Sequence, residues 1–503
     1  MIIINTHLNR YLLIVLLLAI IITAPFFDVI EIGDGLGWDG SAYGNITRKI
    51  FKNEFIGIID SYSMQRTSLS FMIAFSSNIL NIPLTNANII IFFKIINILF
   101  LLLSVFYFFK ICKFLNFDKK TENFAFISLY FSYFILKMLG FYPVLLDYTA
   151  FSLSIMLFYA FLSNSYFIAF LGIAIGAFTF PSIALFFTLI FLSKNITIIT
   201  QDKSIWDISS KTANLLKNSI SLLAILGYLF LIIAIFKFTN TKIILITGEN
   251  VDSLKVGLSA ITTCLAIFLA TKYLISTEVV NQLKFKSIKF NFKVIVGIIT
   301  VFIFIKICIY ALSNNMIPPR MAWKNFLVNL LTQSLQNPLI SIVAHILYFG
   351  PVLLLFLIFF KSIAKEIQKE GILFAGVFLL NIFFMILGNE SRQFVNFMPM
   401  LIFYTCVTLN GRITTPFLIF HGISSLIISK FWYEITTPEF MKSIAAYGDV
   451  FTNNNITSEG SQRYFMYQGP WMSTNNYLIF LVLIVILFVG YWQFFKINNN
   501  NGK

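Results

Sequence analysis

Charged residues are scarce in this chain, and acidic ones are the scarcest. Only 11% of the 503 residues are charged, and 21 Asp and Glu stand against 36 Lys and Arg. Soluble proteins carry about 25% charged residues, so the composition excludes an ordinary soluble domain. Apolar runs of roughly 17–25 residues recur along the whole length, as in transmembrane helices. The sequence therefore predicts an all-α, polytopic membrane protein with about 14 helices, some short or broken.

Several functional classes lack their motifs here. Cys112, Cys264, Cys308 and Cys406 lie in or beside predicted spans at no metal-binding spacing, so the sequence supports neither a disulfide framework nor a zinc site. No P-loop or GxGxxG motif is present, which argues against a nucleotide-driven engine. The net charge of +15 comes without a basic patch interleaved with aromatics, so nucleic acid is not an expected partner. The positive-inside rule explains the excess, with a contribution from anionic lipid or phosphate binding.

The distribution of lysines predicts the orientation in the membrane. A first span at 10–27 places the N-terminus in the cytoplasm and the following loop outside. We interpret the apolar segment 67–82 as a helix lying in the interface, since a crossing there would put the lysines of 110–120 outside. Both termini are then cytoplasmic, and the predicted location is a bacterial inner (plasma) membrane. The predicted parts are one integral membrane domain, 1–503, with extracytoplasmic loops at 28–86, 313–336 and 429–476.

One apolar segment, 166–193, is too long for a single comfortable span. We predict two short helices broken at Thr179–Ser182, because Pro181 ends or kinks a helix and removes a donor. The remaining predicted spans are 87–110, 124–141, 148–163, 219–236, 256–275, 294–312, 337–360, 372–388, 393–410, 414–428 and 477–495.

The loop from Asp28 to Arg66 contains six acids in a chain that is otherwise poor in them. Asp39 lies between glycines and aromatics, where a carboxylate can take a proton from an acceptor hydroxyl. Trp38 and Tyr43 can stack on a sugar. The alternative is that Asp39 is the N-cap of an interfacial helix.

Three arginines are candidates for binding a lipid phosphate. Arg66 can clamp it through two hydrogen bonds or, alternatively, extend to the headgroups. Arg392, beside Glu390 in a tight outer turn, can neutralise a phosphate leaving group or simply pin the turn. Arg320, followed by Lys324, is a further candidate.

Two more titratable residues stand near or within spans. Asp147 is either a helix cap or a second acidic group that orients an acceptor or binds a divalent cation, Mg²⁺ or Mn²⁺, with Asp39 or Asp34. A complete metal-ligand set is not defined by the sequence. His345 is predicted to be a hydrogen-bonded packing residue, with a proton carrier as the alternative.

These motifs together resemble the GT-C glycosyltransferases. Trp38-Asp39-Gly40 with Tyr43, followed by Tyr62 to Arg66 and an apolar helix, is similar to the YDGxxY and QR elements of bacterial membrane mannosyltransferase-like proteins. Asn389 to Arg392, followed by Phe397-Met398-Pro399, resembles their late E-x-R…P element. Trp38 stands where Tyr or Phe is usual in that family.

The resemblance implies a GT-C-like fold and a sugar donor carried on polyprenyl phosphate, with a glycan, lipid or protein as acceptor. Asp39 would be the catalytic residue, and Asp34 and Asp147 the second acids. The resemblance assigns substrate binding to Arg66, Arg320, Arg392, Glu390, Trp38 and Tyr43. An O-antigen-type polymerase or ligase and a non-enzymatic lipid-linked sugar transporter or flippase are the alternative functions.

Overall fold

A computed structural model gives the architecture and describes residues 6–200, 210–239, 253–275, 285–317, 323–445 and 458–500. The chain divides into two compact units. Unit 1 consists of Met1–Phe191, Lys293–Ala322 and Phe394–Thr436, and unit 2 of Leu192–Phe292, Trp323–Gln393 and Thr437–Lys503.

The described residues are nearly all helical. In chain order the elements are α1 (Thr6–Phe27), α2 (Trp38–Phe51), α3 (Ser61–Met64), α4 (Ser68–Leu80), α5 (Asn86–Phe114), α6 (Lys119–Tyr130), a π-helical turn (Phe134–Met138), α7 (Leu139–Phe141), α8 (Asp147–Ser163), α9 (Tyr166–Ala177), α10 (Pro181–Lys194), β1 (Ile196–Thr200), α11 (Ser210–Thr239), α12 (Ser253–Leu274), β2 (Phe285–Phe290), α13 (Phe292–Leu312), α14 (Trp323–Gln333), α15 (Ile340–Phe349), α16 (Val352–Ile358), α17 (Phe360–Gln368), α18 (Ile372–Leu387), a 3₁₀ turn (Ser391–Phe394), α19 (Met398–Leu409), α20 (Thr415–Ser429), α21 (Pro438–Ala445), α22 (Glu459–Phe465), a 3₁₀ turn (Gly469–Trp471) and α23 (Thr474–Asn500).

Within the described residues, five helices are long and apolar enough to cross a membrane: α5, α11, α12, α13 and α23. A sixth span is possible if α6 and the segment Phe134–Phe141, which meet at a bend of 52°, form one broken helix. Nine shorter apolar helices accompany them in the same described part of the chain. The protein is therefore an integral, multi-pass membrane protein, and its orientation stays a prediction.

The predicted interfacial segment corresponds to α4. Its 13 residues extend about 20 Å, less than the ~30 Å hydrocarbon core of a bilayer. The helix packs against α2, where the Thr47 hydroxyl donates to Ser70 Oγ over 3.0 Å between two fully buried side chains. This length fits a helix that does not cross, although its position in the interface stays a prediction.

Two predictions about helix continuity had different outcomes. The predicted break in 166–193 is confirmed, because α9 ends at Ala177 and α10 begins at Pro181. The prediction of one span at 337–360 was wrong about continuity, because α15 ends at Phe349 and α16 begins at Val352. Gly350 has a φ of +97°, which favours glycine, and Pro351 has no N–H to continue the helix.

One feature departs from the predicted all-helical fold. β1 pairs with β2 in an antiparallel ribbon in unit 2, with Ile198 opposite Ile288. The predicted late loop at 429–476 also contains helical segments, α21 and α22.

Candidate functional site

The acidic loop of unit 1 begins with a tight glycine turn. The Gly35 N–H donates to Glu31 O over 3.4 Å, and the Gly37 N–H donates to Ile32 O over 2.8 Å. Gly33, Gly35 and Gly37 have φ values of +60°, +85° and +72°, which glycine adopts without steric cost. The turn leads directly into α2, so the glycine spacing places Asp39 in the first turn of that helix.

Tyr142 fixes the position of this turn. Its ring lies so close to Gly37 that an added Cβ would be 2.4 Å from the ring atom Cζ. Its hydroxyl oxygen accepts the Gly40 N–H over 3.0 Å. The Tyr142 segment is itself held by Asn97 of α5, whose Nδ2 donates to Pro143 O over 2.9 Å. The start of α2 is thus built on a buried, hydrogen-bonded surface.

Replacing Gly37 with Ala should destabilise this part of the protein. The new methyl group would clash with the Tyr142 ring and would also demand a positive φ, and together these should cost about 2–4 kcal/mol. The midpoint of thermal unfolding in detergent measures the effect. Gly57→Ala is the matched control, because Gly57 has a φ of +69° but no atom within 4 Å of an added Cβ. An equal shift for both variants would show that the Tyr142 contact is unimportant.

Trp38 and Asp39 are the first two residues of α2, whose N-cap is Gly37. The alternative interpretation of Asp39 as the N-cap is therefore wrong. Its carboxylate lies in the first turn of the helix instead. An anion there is stabilised by the helix dipole. Trp38 is exposed, Asp39 is half-buried and Tyr43 is buried one turn further on. The exposed aromatic and the half-buried acid are both accessible to a substrate.

Arg66 joins this group from the other side. Its Nη1 donates to the Tyr43 hydroxyl over 3.2 Å, and its guanidinium carbon lies 4.6 Å from the Tyr62 ring centre and 5.2 Å from that of Phe180. Burial disfavours the charge, but Tyr43, Tyr62 and Asp39 outweigh it and raise the pKa of Arg66 above its ordinary value. Arg66 is therefore a fixed cation in the electrostatic range of Asp39.

One donor of Arg66 is unused. Its Nε is buried and has no hydrogen-bond partner in the part of the chain that the structure describes. Leaving a charged buried donor unpaired costs free energy, so such a group is satisfied by a ligand, an ion or an ordered water, or else it stores strain. A phosphate oxygen is the acceptor that a guanidinium binds best.

The break between α9 and α10 contributes a contact to Arg66, because Phe180 lies in that break. The Ser68 N–H donates to Phe178 O over 2.8 Å, and its hydroxyl contacts Thr179 Oγ1 at 2.7 Å. These bonds hold the break between α9 and α10 against the start of α4, which brings Phe180 onto the Arg66 guanidinium. The break therefore has a positional role that its apolar sequence did not reveal.

A second cation reaches the same segment. Lys306 of α13 donates from Nζ to Gln65 Oε1 over 3.0 Å, next in sequence to Arg66. The backbone of the same loop is tied to the end of α13, where the Gly57 N–H donates to Leu312 O over 3.0 Å. Unit 1 thus presents an acid, an arginine and a lysine around α2 and α4.

The two predicted second acids have different environments. Asp34 is exposed in the glycine turn and accepts a bond from Asn86 Nδ2 over 3.2 Å. Asp147 is the first residue of α8, with Leu146 as N-cap, and is only 1% exposed. Asp147 follows the segment Tyr142–Val144 against which Gly40 packs. It therefore supports the wall of the site, whereas Asp34 lies at its surface.

The described residues contain no group of three or more His, Cys, Asp or Glu side chains able to hold a metal ion. Asp34, Asp39 and Asp147 accordingly do not form a three-carboxylate site. A divalent cation here would use one or two carboxylates together with water or substrate oxygens, as Mg²⁺ does in many phosphate sites.

The first part of the late motif, Asn389 to Arg392, lies in unit 2 in a hydrogen-bonded turn, whereas Phe397-Met398-Pro399 belongs to unit 1. Asn389 is buried, its N–H donates to Gln333 Oε1 over 3.1 Å, and its Nδ2 donates to Gln336 Oε1 over 3.1 Å. Gln393 Nε2 donates to Glu390 Oε2 over 2.7 Å. Glu390 and Arg392 are half-buried. The buried asparagine anchors the turn so that these two charged residues have fixed positions.

His345 packs beneath this turn. Its Nε2 is 3.0 Å from Met385 O and its Nδ1 is 2.9 Å from Ser391 Oγ. A carbonyl only accepts, so Nε2 carries a proton and donates it to Met385 O, while Nδ1 is hydrogen-bonded to the Ser391 hydroxyl. The hydrogen-bonding role predicted for His345 is confirmed.

Arg320 and the residues around it lie outside the described part of the chain, and the side chain of Lys324 is likewise not described. The structure therefore brings Asp39, Tyr43 and Arg66 together in unit 1, with Trp38 beside them. It separately places Glu390 and Arg392 in one turn of unit 2.

Sequence reasoning missed the parts played by Tyr142, Phe180 and Lys306. Phe180 could have been suspected from its position before Pro181, and Lys306 from being a charge inside an apolar run. Comparison of the chain with protein-family models, curated proteins and solved structures found no match.

Proposed function

We propose that this protein is a membrane glycosyltransferase that moves a sugar from a polyprenyl-phosphate donor to a glycan, lipid or protein acceptor on the extracytoplasmic face. The observation that carries the proposal is the group formed by Asp39, Tyr43 and Arg66. It offers a proton acceptor and a phosphate-binding cation in one place. The apolar helices of the protein lie beside it, and a prenyl chain would lie along such helices in the bilayer.

Each residue has a defined part in the proposed reaction. Asp39 takes the proton from the acceptor hydroxyl, whose oxygen attacks the anomeric carbon. The bond between that carbon and the phosphate oxygen breaks, and the prenyl phosphate leaves with the electron pair, which gives inversion. Arg66 neutralises the charge that develops on the phosphate, with its free Nε–H as a donor. Trp38 provides an exposed ring for the sugar.

Further features support a lipid-linked donor. Unit 2 contains a largely apolar cavity of about 360 Å³ among the helices α12, α15 to α17 and α18. An isoprenoid chain would fit a cavity with this apolar lining. Lys361 is the one cation among the described residues that line it. Within unit 2, the turn with Glu390 and Arg392 is proposed as a separate substrate-binding element, with Arg392 as the cation for a phosphate.

The conservative variant Arg66→Lys should lower kcat/KM for sugar transfer by about 10²-fold. Lysine keeps the charge but loses the fork of donors and the stacking on Tyr62 and Phe180. The assay is transfer of labelled sugar from polyprenyl phosphate by the purified protein. Arg412→Lys makes the same change at an exposed turn and should leave the rate unaltered. Full activity of Arg66→Lys would remove Arg66 from the phosphate site.

A further inference from the structure

A polar cavity lies in unit 1, at the opposite end of α1 from the acidic loop. Its volume is about 510 Å³, within the range of small-molecule sites. It lies where α1 begins, α5 ends and α6 begins. Arg10 and Asp28 are separated by 18 residues, or about 27 Å of helix, so this cavity is distinct from the proposed transferase site.

The charge of this cavity is strongly positive. Four cations line it against one carboxylate, namely Arg10, Lys110, Lys113 and Lys119 against Glu122. Arg10 donates two hydrogen bonds to that carboxylate, from Nε to Oε1 over 2.5 Å and from Nη2 to Oε2 over 2.6 Å. Lys119 Nζ also lies 3.6 Å from Glu122 Oε1. The charged side chains that line the cavity therefore have a net charge of +3, and Lys110 and Lys113 do not contact this carboxylate within 4 Å.

The neighbouring acid does not cancel this charge. Asp118 does not line the cavity, and its carboxylate is occupied by the Thr121 N–H at 2.7 Å and the Gly411 N–H at 3.1 Å. Both bonds fix the start of α6. An anionic ligand in the cavity would therefore meet one lining carboxylate, Glu122, against four lining cations.

The cavity also adjoins an exposed apolar surface of α5, one of the helices long enough to cross a membrane. Phe106 lines it and is 52% exposed, and one further helical turn back Leu102 and Leu103 of α5 are exposed as well. The 29 residues of α5 extend about 44 Å, enough to carry its C-terminal end out of the hydrocarbon core to the headgroup level.

We propose that this cavity binds the phosphate of an anionic phospholipid, with the lysines on the headgroup and the acyl chains along α5. Basic pockets between membrane helices bind anionic headgroups in this way. Lys110 is held in position by the rings of Phe106 and Tyr159, at 4.4 and 5.4 Å from their centres. The proposal is independent of the transferase function.

The test measures lipid retention by native mass spectrometry of the full chain in detergent. Phosphatidylglycerol is compared with phosphatidylcholine of the same acyl chains, for the wild type and for the double variant Lys110→Gln/Lys113→Gln. Each lysine near a headgroup should strengthen binding roughly fivefold, so the double variant should bind phosphatidylglycerol about 25-fold more weakly. The double variant Lys49→Gln/Lys52→Gln removes two exposed charges outside the cavity and should bind as the wild type does.

Three results would overturn the proposal. Phosphatidylcholine could be retained as well as phosphatidylglycerol, which would show that charge is not recognised. The variant Lys110→Gln/Lys113→Gln could bind like the wild type while unfolding at the same temperature. Millimolar inorganic phosphate could displace phosphatidylglycerol completely, which would assign the cavity to a small soluble anion rather than to a lipid.

Discussion

Replacing Asp39 with Asn should lower kcat for sugar transfer by about 10²- to 10⁴-fold, the contribution typical of a general base. Asn has the same shape but cannot take the proton from the acceptor hydroxyl. Because Asp39 is half-buried in the first turn of α2, the substitution should leave the fold and the unfolding temperature nearly unchanged. KM should change little, since the lost interaction belongs to the transition state.

The acids around Asp39 supply the controls. Glu31→Gln removes an exposed carboxylate from the same loop and should retain full activity. Asp147→Asn should act chiefly on stability, because that carboxylate is buried at the start of α8. Wild-type kcat in Asp39→Asn, or an equal loss in Glu31→Gln, would exclude Asp39 as the base.

The second large effect is expected at Lys137, in the π-helical turn. Its Nζ donates to Asp28 Oδ2 over 2.6 Å, and both side chains are 1% exposed. Asp28 also accepts the backbone N–H groups of Ile435 and Thr436, at 2.7 and 3.1 Å. Lys137→Met should destabilise unit 1 by about 3–5 kcal/mol, because it leaves a buried carboxylate without its counter-charge.

Thermal unfolding in detergent measures this loss. Adding Asp28→Asn to Lys137→Met removes the stranded charge and should recover part of the stability. Lys369→Met is the matched control, because Lys369 also pairs with an acid, Glu366, at 2.5 Å but is 68% exposed. Exposed pairs contribute only about 0–1 kcal/mol. Similar shifts for Lys137→Met and Lys369→Met would contradict a burial-dependent role.

This ion pair also connects stability to function. Asp28 is the first residue of the acidic loop, and Lys137 anchors it to the bent helix pair from 109 residues away. The Ile30 N–H adds a bond to Phe141 O over 3.0 Å. The glycine turn and α2 follow directly, so that loosening Asp28 should also disturb Asp39.

The sequence predicted local features better than distant contacts. Apolar runs were enough to predict most of the helices, and Pro181 was enough to predict the break between α9 and α10. The pairing of β1 with β2 could not be read locally, because the strands are almost ninety residues apart and only their contact defines the ribbon. The break after Phe349 had a local signal in Gly350-Pro351, but the surrounding apolar run concealed it.

The candidate site divides in the same way. Asp39, Tyr43 and Arg66 stood out because acids, glycines and a QR pair cluster in one stretch of an acid-poor chain. Tyr142 and Phe180 come from segments far along the chain, where each is one aromatic among many. Their roles depend on packing against Gly37 and Arg66, which no local pattern encodes.

The central claim is tested most directly by incubating the purified protein, in lipid nanodiscs, with a panel of labelled polyprenyl-phosphate sugars and candidate acceptors. We expect free polyprenyl phosphate to appear in a 1:1 ratio with an acceptor that has gained one sugar, and neither product with Asp39→Asn. Transfer of a preassembled block would favour a polymerase or ligase instead. Recovery of every labelled lipid intact, with or without movement across the bilayer, would contradict the assignment as a glycosyltransferase.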